Sequence, residues 1–524
     1  MSAVSPVGLR PAEEWTGSIT AAAVAAGLAL VAIASGWRGA DLPAQLFHVE
    51  MFRQYGFVLW NSQWFSGVPT LDYSVLSPVL GALTGPLVLA AVSGTASAFL
   101  FDRLVRHEFG VAARVGSLWF ALSMVTNLVV GRVTFALGVT FALAALLALQ
   151  RDRTKVAIVC ALLCGLACPD AGLFLAIAGG AVTLARPHAR AAAALTCAMA
   201  VAPVLVIAAV FPSPGAEPYE LWAVGCDLAV CALVLVVVPR RMRVIRCGAA
   251  IYALVVVATR LMSSPLGGIV IRLDQYAAGP LLACVLWERR RALVIVLAVP
   301  LLFWQWFPTV DTIAFSRSDP STHRAFYQPL LAYFTEHPPG FGRVEIPSTY
   351  RHWETAFVAP RLALARGWER DLDYAYDAEF YDNSLTADSY RTWLADNAVR
   401  YVALPNARLD SSSTVEAGLL NRGLSYLQPV WHDAQWRVWR FTGYRGLVDG
   451  PAHLEALTAD SFELDVSRAG TVTVHIHDSP HWAIDGGTAC TVAAPGGWLE
   501  IEHVVPGELR VTQALRGTRC DVDT

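Results

Sequence analysis

Apolar residues in this chain come in long blocks rather than the short alternations of a soluble domain, and the blocks set the expected architecture. With about 20 apolar residues needed to cross a bilayer as a helix, the pattern predicts spans over 17–37, 76–101, 113–129, 133–150, 155–169, 171–186, 192–211, 219–238, 245–262, 273–287 and 292–308. The fifth and sixth are short, and "CPDAG" at 168–172 puts a helix breaker and a carboxylate between them. Two spans and one re-entrant hairpin are both open readings of 155–186. Arg10, Glu13 and Glu14 precede the first block, which lacks a small-residue cleavage site and reads as a retained signal anchor.

The polar connections predict an orientation. The dense basic clusters are "FDRLVRHEFGVAAR" (101–114), "RDRTK" (151–155), "RPHAR" (186–190), "PRRMRVIR" (239–246) and "ERRR" (288–291), and they fall in alternate connections. By the positive-inside rule these lie in the cytoplasm with the N-terminus. About eleven spans then leave everything after Pro308 on the outer side of the plasma membrane.

Beyond Pro308 the apolar runs shorten and Asp, Tyr and Trp become frequent. "GRVEIP" (342–347) and "VRYVALP" (399–405) read as short buried strands, and "TADSYRTWLADN" (386–397) reads as a Thr-capped helix with Tyr390, Trp393 and Leu394 on one face. From about Leu447 the pattern alternates, as in "FELDVSRAGTVTVHIHD" (462–478), with Gly and Pro turns between runs. The expected plan is a polytopic α-helical membrane domain over 1–308, an extracytoplasmic α/β domain over 309–446 and a β-sandwich-like domain over 447–524.

Composition agrees with a membrane protein. Of 524 residues 55% are hydrophobic and only 15% charged, and mean hydropathy is +0.47. A net charge of −3 with no basic tract excludes a nucleic-acid partner, which needs a concentrated field of Lys and Arg. Most of the ten cysteines lie in or beside predicted spans, where they act as small apolar fillers. Cys490 and Cys520 alone lie in the polar tail, and an oxidising exterior would join them in a disulfide.

Candidate chemistry gathers after the first span, in "GADLPAQLFHVEMFRQYGFVLWNSQWFSGVPTLDYS" (39–74). If this stretch begins as a helix, Asp41, Gln45 and His48 share one face at i, i+4 and i+7. They could look into a cavity of the bundle, or the segment could be an amphipathic helix lying in the membrane interface. Trp60, Trp64, Asp72 and Tyr73 follow, with turns at Gly67 and Pro69, so a sizeable ordered loop is expected. Elsewhere, Arg132 either snorkels or meets an anion, Asp170 suits a helix cap, and Arg272 and Asp274 suit a loop ion pair. "HIHDSPHW" (475–482) puts His475 and His477 on one strand face, where metal ligation and plain turn or surface roles compete. No phosphate-binding loop, nucleophile elbow or HExxH pattern is present.

Asp41, His48, Trp60, Trp64, Gly67, Pro69, Tyr73 and Pro78, with "GGIVIRLDQYAAGPLL" (267–282), resemble the GT-C superfamily of membrane glycosyltransferases. In particular they resemble its YfhO-like and 6-pyruvoyl-tetrahydropterin synthase-related bacterial membrane branch. The resemblance implies transfer of a sugar from a polyprenyl-phosphate donor to a cell-envelope glycan or lipid acceptor at the outer face of the membrane. Asp41 is then the candidate base, with His48, Arg132 and Arg272 available to the leaving phosphate. Trp60, Trp64 and Tyr73 offer faces to sugar rings or anchor the loop among membrane lipids, with Asp72 beside them. Asp41 or Asp72 could hold a divalent metal, although no spacing requires one. Two other classes remain open: a transporter or flippase of lipid-linked glycans, for which no internal repeat is visible, and a non-catalytic scaffold of envelope assembly.

Overall fold

A computed structural model describes the backbone of residues 11–520 and side-chain environments from Thr16 onward. Arg10 and the side chains of Glu13 and Glu14 lie outside the described residues. The chain divides into two compact units. One comprises the residues up to Gln45 together with Asp72–Arg317, and the other comprises Leu46–Leu71 with Ser318–Thr524.

The first unit is helical. Along it run α1 (Pro11–Ser35), the start of α2 (Leu42–Tyr55), α3 (Ser77–Thr84), α4 (Pro86–Phe109), α5 (Ala113–Val130) and α6 (Val133–Gln150). They are followed by α7 (Thr154–Ala167), α8 (Pro169–Ala185), α9 (Arg190–Val210), α10 (Leu221–Val237), α11 (Arg243–Leu261) and α12 (Arg272–Phe315). Among the described residues, six helical stretches are long and apolar enough to cross a membrane: Thr16–Ser35, Pro86–Val130, Val133–Gln150, Pro187–Val210, Arg243–Leu261 and Gly267–Phe315. The second of these is broken at 110–112, and α12 leaves helical geometry at Arg290, inside the "ERRR" cluster.

The "CPDAG" breaker acts as its residues require. Cys168 is extended (φ −159°, ψ 116°) and Pro169 opens α8 at its first turn, where a missing N–H costs nothing. The result is two antiparallel helices of 14 and 17 residues, about 21 and 26 Å long at the α-helical rise. Small residues allow close packing elsewhere: Ala21, Ala25, Ala98 and Ala121 form one fully buried contact of α1, α4 and α5. Large apolar side chains point the other way, with Val236 82% and Leu254 71% exposed. A wide outward belt of this kind suits hydrocarbon rather than water.

The bundle also separates its connections. At one end Arg186 reaches Glu108 at 2.5 Å and Gln150 reaches the same carboxylate, which draws the ends of α4, α6 and α8 together. At the other end the Asp41 N–H donates to the Val130 carbonyl, and Val75 and Ser74 bond the carbonyls of Leu166 and Ala167. The basic clusters at 101–114, 151–155 and 186–190 lie in the first set of connections.

The second unit joins an α/β layer to a β-sandwich. A small hairpin, β1 (Trp60–Asn61) with β2 (Val68–Pro69), belongs to this unit, although the sequence suggested that 38–75 goes with the membrane domain. The mixed sheet holds β3 (Arg343–Glu345), β4 (Val399–Pro405), β5 (Leu427–His432) and β6 (Trp436–Phe441) in the order β3-β4-β6-β5, with only β3 and β4 parallel. Its helices are α13 (Arg324–Glu336), α14 (Glu354–Phe357), α15 (Arg370–Tyr376), α16 (Ala387–Asp396) and α17 (Thr414–Arg422). The expected Thr386 cap is present as a reciprocal capping box with Ser389. Tyr390, Trp393 and Leu394 of α16 face the core with Val399, Val402 and Leu404.

The sandwich is built from β7 (Val448–Asp449), β8 (Ala452–Leu457), β9 (Ser461–Val466), β10 (Gly470–His477), β11 (Trp482–Ile484), β12 (Cys490–Ala493), β13 (Trp498–Val504) and β14 (Gly507–Gln513). Its sheets, β12-β13-β10-β7 and β11-β14-β9-β8, enclose Val472, Val474, Leu499, Phe462, Leu464 and Trp482. Cys490 and Cys520 are joined in a disulfide, as the tail cysteines suggested.

Candidate functional site

In the first unit, Asp41 and Arg132 meet because two turns press backbone to backbone. Gly131 closes α5 in the left-handed region (φ 101°, ψ 20°). A Cβ on it would lie 2.3 Å from the Leu42 nitrogen, and one on Gly39 would lie 2.2 Å from the Val130 oxygen. Only glycine permits both approaches. They bring the Arg132 Nε to within 3.0 Å of the Asp41 Oδ2. The Arg132 guanidinium also bonds the Tyr276 hydroxyl, itself 2.9 Å from Thr126 Oγ1.

A second pair completes the cluster. Arg272, opening α12, donates to the Asp170 Oδ2 at 3.1 Å and lies 5.7 Å over the Phe135 ring. Asp170 is in electrostatic reach of Arg132 as well. Two carboxylates and two guanidiniums from four separate connections thus gather at one end of the bundle. All four side chains keep 15–29% exposure. Such a set can exchange its internal partners for a phosphate, since guanidinium binds carboxylate and phosphate in the same forked geometry.

Several expectations change in detail. Arg132 meets an anion, and that anion is Asp41. Arg272 pairs with Asp170 rather than with Asp274, because Asp274 turns into the bundle toward Trp304 Nε1 at 3.3 Å. The N-cap of α8 is Cys168, without a side-chain cap bond, and Asp170 stands in the first turn rather than at the cap. Gln45 is buried and donates to the Tyr73 hydroxyl, and Asp72 is half-buried in the same unit. With Arg132 already matched to Asp41, the donor set suits an anion better than a dication. Among the described residues the one triad of metal-ligand type is Cys490, Glu502 and His503, and its cysteine is committed to the disulfide.

The rest of the 39–74 motif lies in the second unit and is structural. His48 is buried, with Nε2 3.1 Å from the Glu369 Oε1, so its ring is engaged internally rather than held toward a phosphate. Trp64 is fully buried and stacks on Phe47 with ring centroids 3.8 Å apart. Trp60 is buried in the sandwich core, edge-on to Trp482 at 5.5 Å. Neither tryptophan presents a face to sugar or lipid, which corrects the expectation drawn from the motif. The apolar bodies of these rings stabilise more as core than as surface platforms.

The anchor of that packing is "RGWER" (366–370), which carried no recognisable sequence signal. Arg366 bonds both Glu345 and Glu416 at 2.8 Å. Gly367 admits Trp64, whose ring a Cβ would meet at 2.6 Å. Trp368 stacks on His352 at 3.4 Å, Glu369 takes His48, and Arg370 lies 3.5 Å from Asp410. Burial, reinforced by Asp371, holds the Glu369 carboxyl well above its ordinary range. Burial also raises Asp410, but His352, Ser412 and Arg370 outweigh it and hold that carboxyl well below the usual range. His475, singled out with His477, pairs with Asp449 at 2.8 Å.

A scan against protein-family models and a search of curated proteins both returned no match.

Proposed function

We propose that this chain is a membrane glycosyltransferase of GT-C-like architecture, moving a sugar from a polyprenyl-phosphate donor to an envelope glycan or lipid acceptor. The paired Asp41–Arg132 and Asp170–Arg272 cluster carries the reading. Charged side chains at the end of an apolar bundle are costly and mark sites of function. Here they combine a carboxylate suited to general-base work with two guanidiniums suited to a lipid phosphate. Asp41 takes the proton of the acceptor hydroxyl as its oxygen bonds the anomeric carbon from the opposite face. The bond from that carbon to phosphate breaks with inversion, and the departing polyprenyl phosphate is neutralised by Arg132 and Arg272. Asp170 keeps Arg272 oriented.

Counting α4 and α5 separately and dividing α12 at Arg290 gives eleven crossings: α1, α4 through α11, and two halves of α12. In this reading the basic clusters face the cytoplasm, and the cluster and the C-terminal unit are taken to lie outside the plasma membrane. A disulfide in that unit supports the same side, since such bonds persist in oxidising compartments.

The test is transfer from a panel of polyprenyl-phosphate sugars in membranes, comparing wild type with Asp41→Asn at equal expression. Loss of a general base is expected to slow transfer by about 10²–10⁴-fold. A fully active variant, or a wild type that consumes no donor, overturns the reading.

One observation favours a transporter or flippase as the second reading. Asp227 of α10 and Asp274 of α12 are buried and hydrogen-bonded to each other, with Tyr219 on Asp227. Buried carboxyl pairs within apolar helices are typical of ion-coupled transport. Sugar-independent movement of lipid-linked glycan, abolished by Asp274→Asn, would select it.

A further inference from the structure

The second unit holds a cavity of about 500 Å³ that the proposed transfer chemistry does not use. Its size falls within the roughly 300–1,000 Å³ of small-molecule sites. One wall is a face of α16, where Thr392, Trp393 and Asp396 recur at helical spacing. The opposite side carries Tyr376 and Trp498, whose rings sandwich His477 with centroids 4.1 and 4.9 Å away and planes within 16° and 8° of parallel.

This wall is held in place. Gly496 and Gly497 take positive φ (83° and 78°), and the turn they make sets Trp498 at the start of β13. The His477 N–H bonds the Ser66 carbonyl at 3.0 Å. Burial first, then the charge of Arg343, pushes the His477 imidazole down to about 4, so the ring is neutral at physiological pH and serves as a flat spacer. Arg343 itself is turned away, bonded to the carbonyls of Asn397 and His475 at 2.8 and 2.7 Å.

The lining chemistry selects a ligand class. Asp377, Glu379 and Asp396 line the cavity, and among the described residues no arginine or lysine does. Phosphates and uronates are therefore disfavoured, since each would meet like charge without a cation. A purely apolar ligand would leave the carboxyl and hydroxyl groups facing nothing polar. His477 covers one face of Tyr376 and of Trp498, so a ligand meets their other sides, and aromatic rings beside acceptor oxygens suit a molecule with one C–H face and a rim of hydroxyls.

We propose that this cavity binds a neutral saccharide, with a sugar face against Trp498 and ring hydroxyls donating to Asp396. As a site that recruits the acceptor glycan, it rests on the transferase reading; as a saccharide site, it stands by itself.

The experiment is calorimetric titration of the full chain in lipid nanodiscs with neutral arabinan, galactan, mannan and glucan fragments, a uronate oligosaccharide and spermidine. At least one neutral fragment is expected to bind. Trp498→Ala should weaken it about tenfold, the effect of losing one stacking contact and its burial. Asp396→Asn, at an exposed position of α16, should weaken it several-fold, and Asp41→Asn should leave it unchanged. Absence of binding by every neutral fragment up to about 10 mM, stronger binding of uronate or spermidine, or equal affinity in Trp498→Ala and Asp396→Asn overturns the proposal. Retained binding in a chain that transfers no sugar instead overturns the transferase reading alone.

Discussion

Glu416 shows how burial governs single residues in the second unit. It is fully buried, bonded by Arg366 and by the Tyr390 hydroxyl at 2.6 Å. Burial and then repulsion from Glu345 outweigh Arg366 and raise its carboxyl from 4.5 to about 8. An acid whose folded pKa exceeds its unfolded value holds its proton better in the folded chain. Its stabilisation is therefore complete below the unfolded value and is lost as pH rises toward about 8. His477, depressed from 6.5 to about 4, works in the opposite sense over its own interval. The informative quantity is thus the difference between wild type and Glu416→Gln. We expect denaturant unfolding of the full chain in detergent to show the variant gaining on wild type between pH 5 and 8, by on the order of a few kcal/mol. Parallel pH curves would refute the assignment. At Glu369, too, burial holds the carboxyl well above its ordinary range, and glutamine keeps its shape and a polar partner for His48. Glu369→Gln should cost under about 1 kcal/mol in the same assay and Glu369→Ala about 1–3, because only the latter strands His48; equal losses would mean that charge, not shape, holds the pair.

At the scale of elements, the turn 130–132 and the loop 46–71 carry opposite lessons. Gly131→Ala puts a Cβ 2.3 Å from the Leu42 nitrogen at a positive φ, so it should displace the Asp41 turn and lower transfer along with thermal stability. Normal stability and transfer in that variant would show the turn to be plastic. Trp60→Ala should lower unfolding stability by about 3–5 kcal/mol, the usual cost of emptying a core aromatic site; unchanged stability with lost substrate affinity would restore the sugar-platform reading of this residue. The helices were legible in the sequence because a long apolar run has few ways to satisfy its backbone in hydrocarbon. The break at Cys168, the Thr386 cap and the sandwich strands were legible for similarly local reasons. Trp60 and Trp64 were not, since an aromatic residue in a loop reads alike whether it faces membrane or core. The "RGWER" segment was invisible because every partner it has is distant in sequence. Asp41 and Arg132 were each noticed, but their pairing depends on two glycines whose close approach no periodicity encodes.

At the scale of the whole molecule, sidedness decides which chemistry is accessible, and the disulfide offers a direct probe of it. Cys490 lies in β12 and Cys520 beyond β14, 30 residues later, and the Cys520 N–H bonds the Thr491 carbonyl. Arg519 pins the same tail to Asp478 at 2.6 Å. Closing a loop of that length stabilises a small sandwich by about 3–4 kcal/mol through the unfolded chain, so reduction should lower the melting of the second unit. The remaining cysteines are free and belong to the helical unit, so mass mapping separates them from this pair. If the C-terminal unit lies outside the plasma membrane, a membrane-impermeant reductant on intact cells should make Cys490 and Cys520 reactive to maleimide. If they become reactive only after lysis, the basic clusters have been assigned to the wrong side. Polyprenyl-phosphate chemistry at Asp41 would then have to proceed from the cytoplasm.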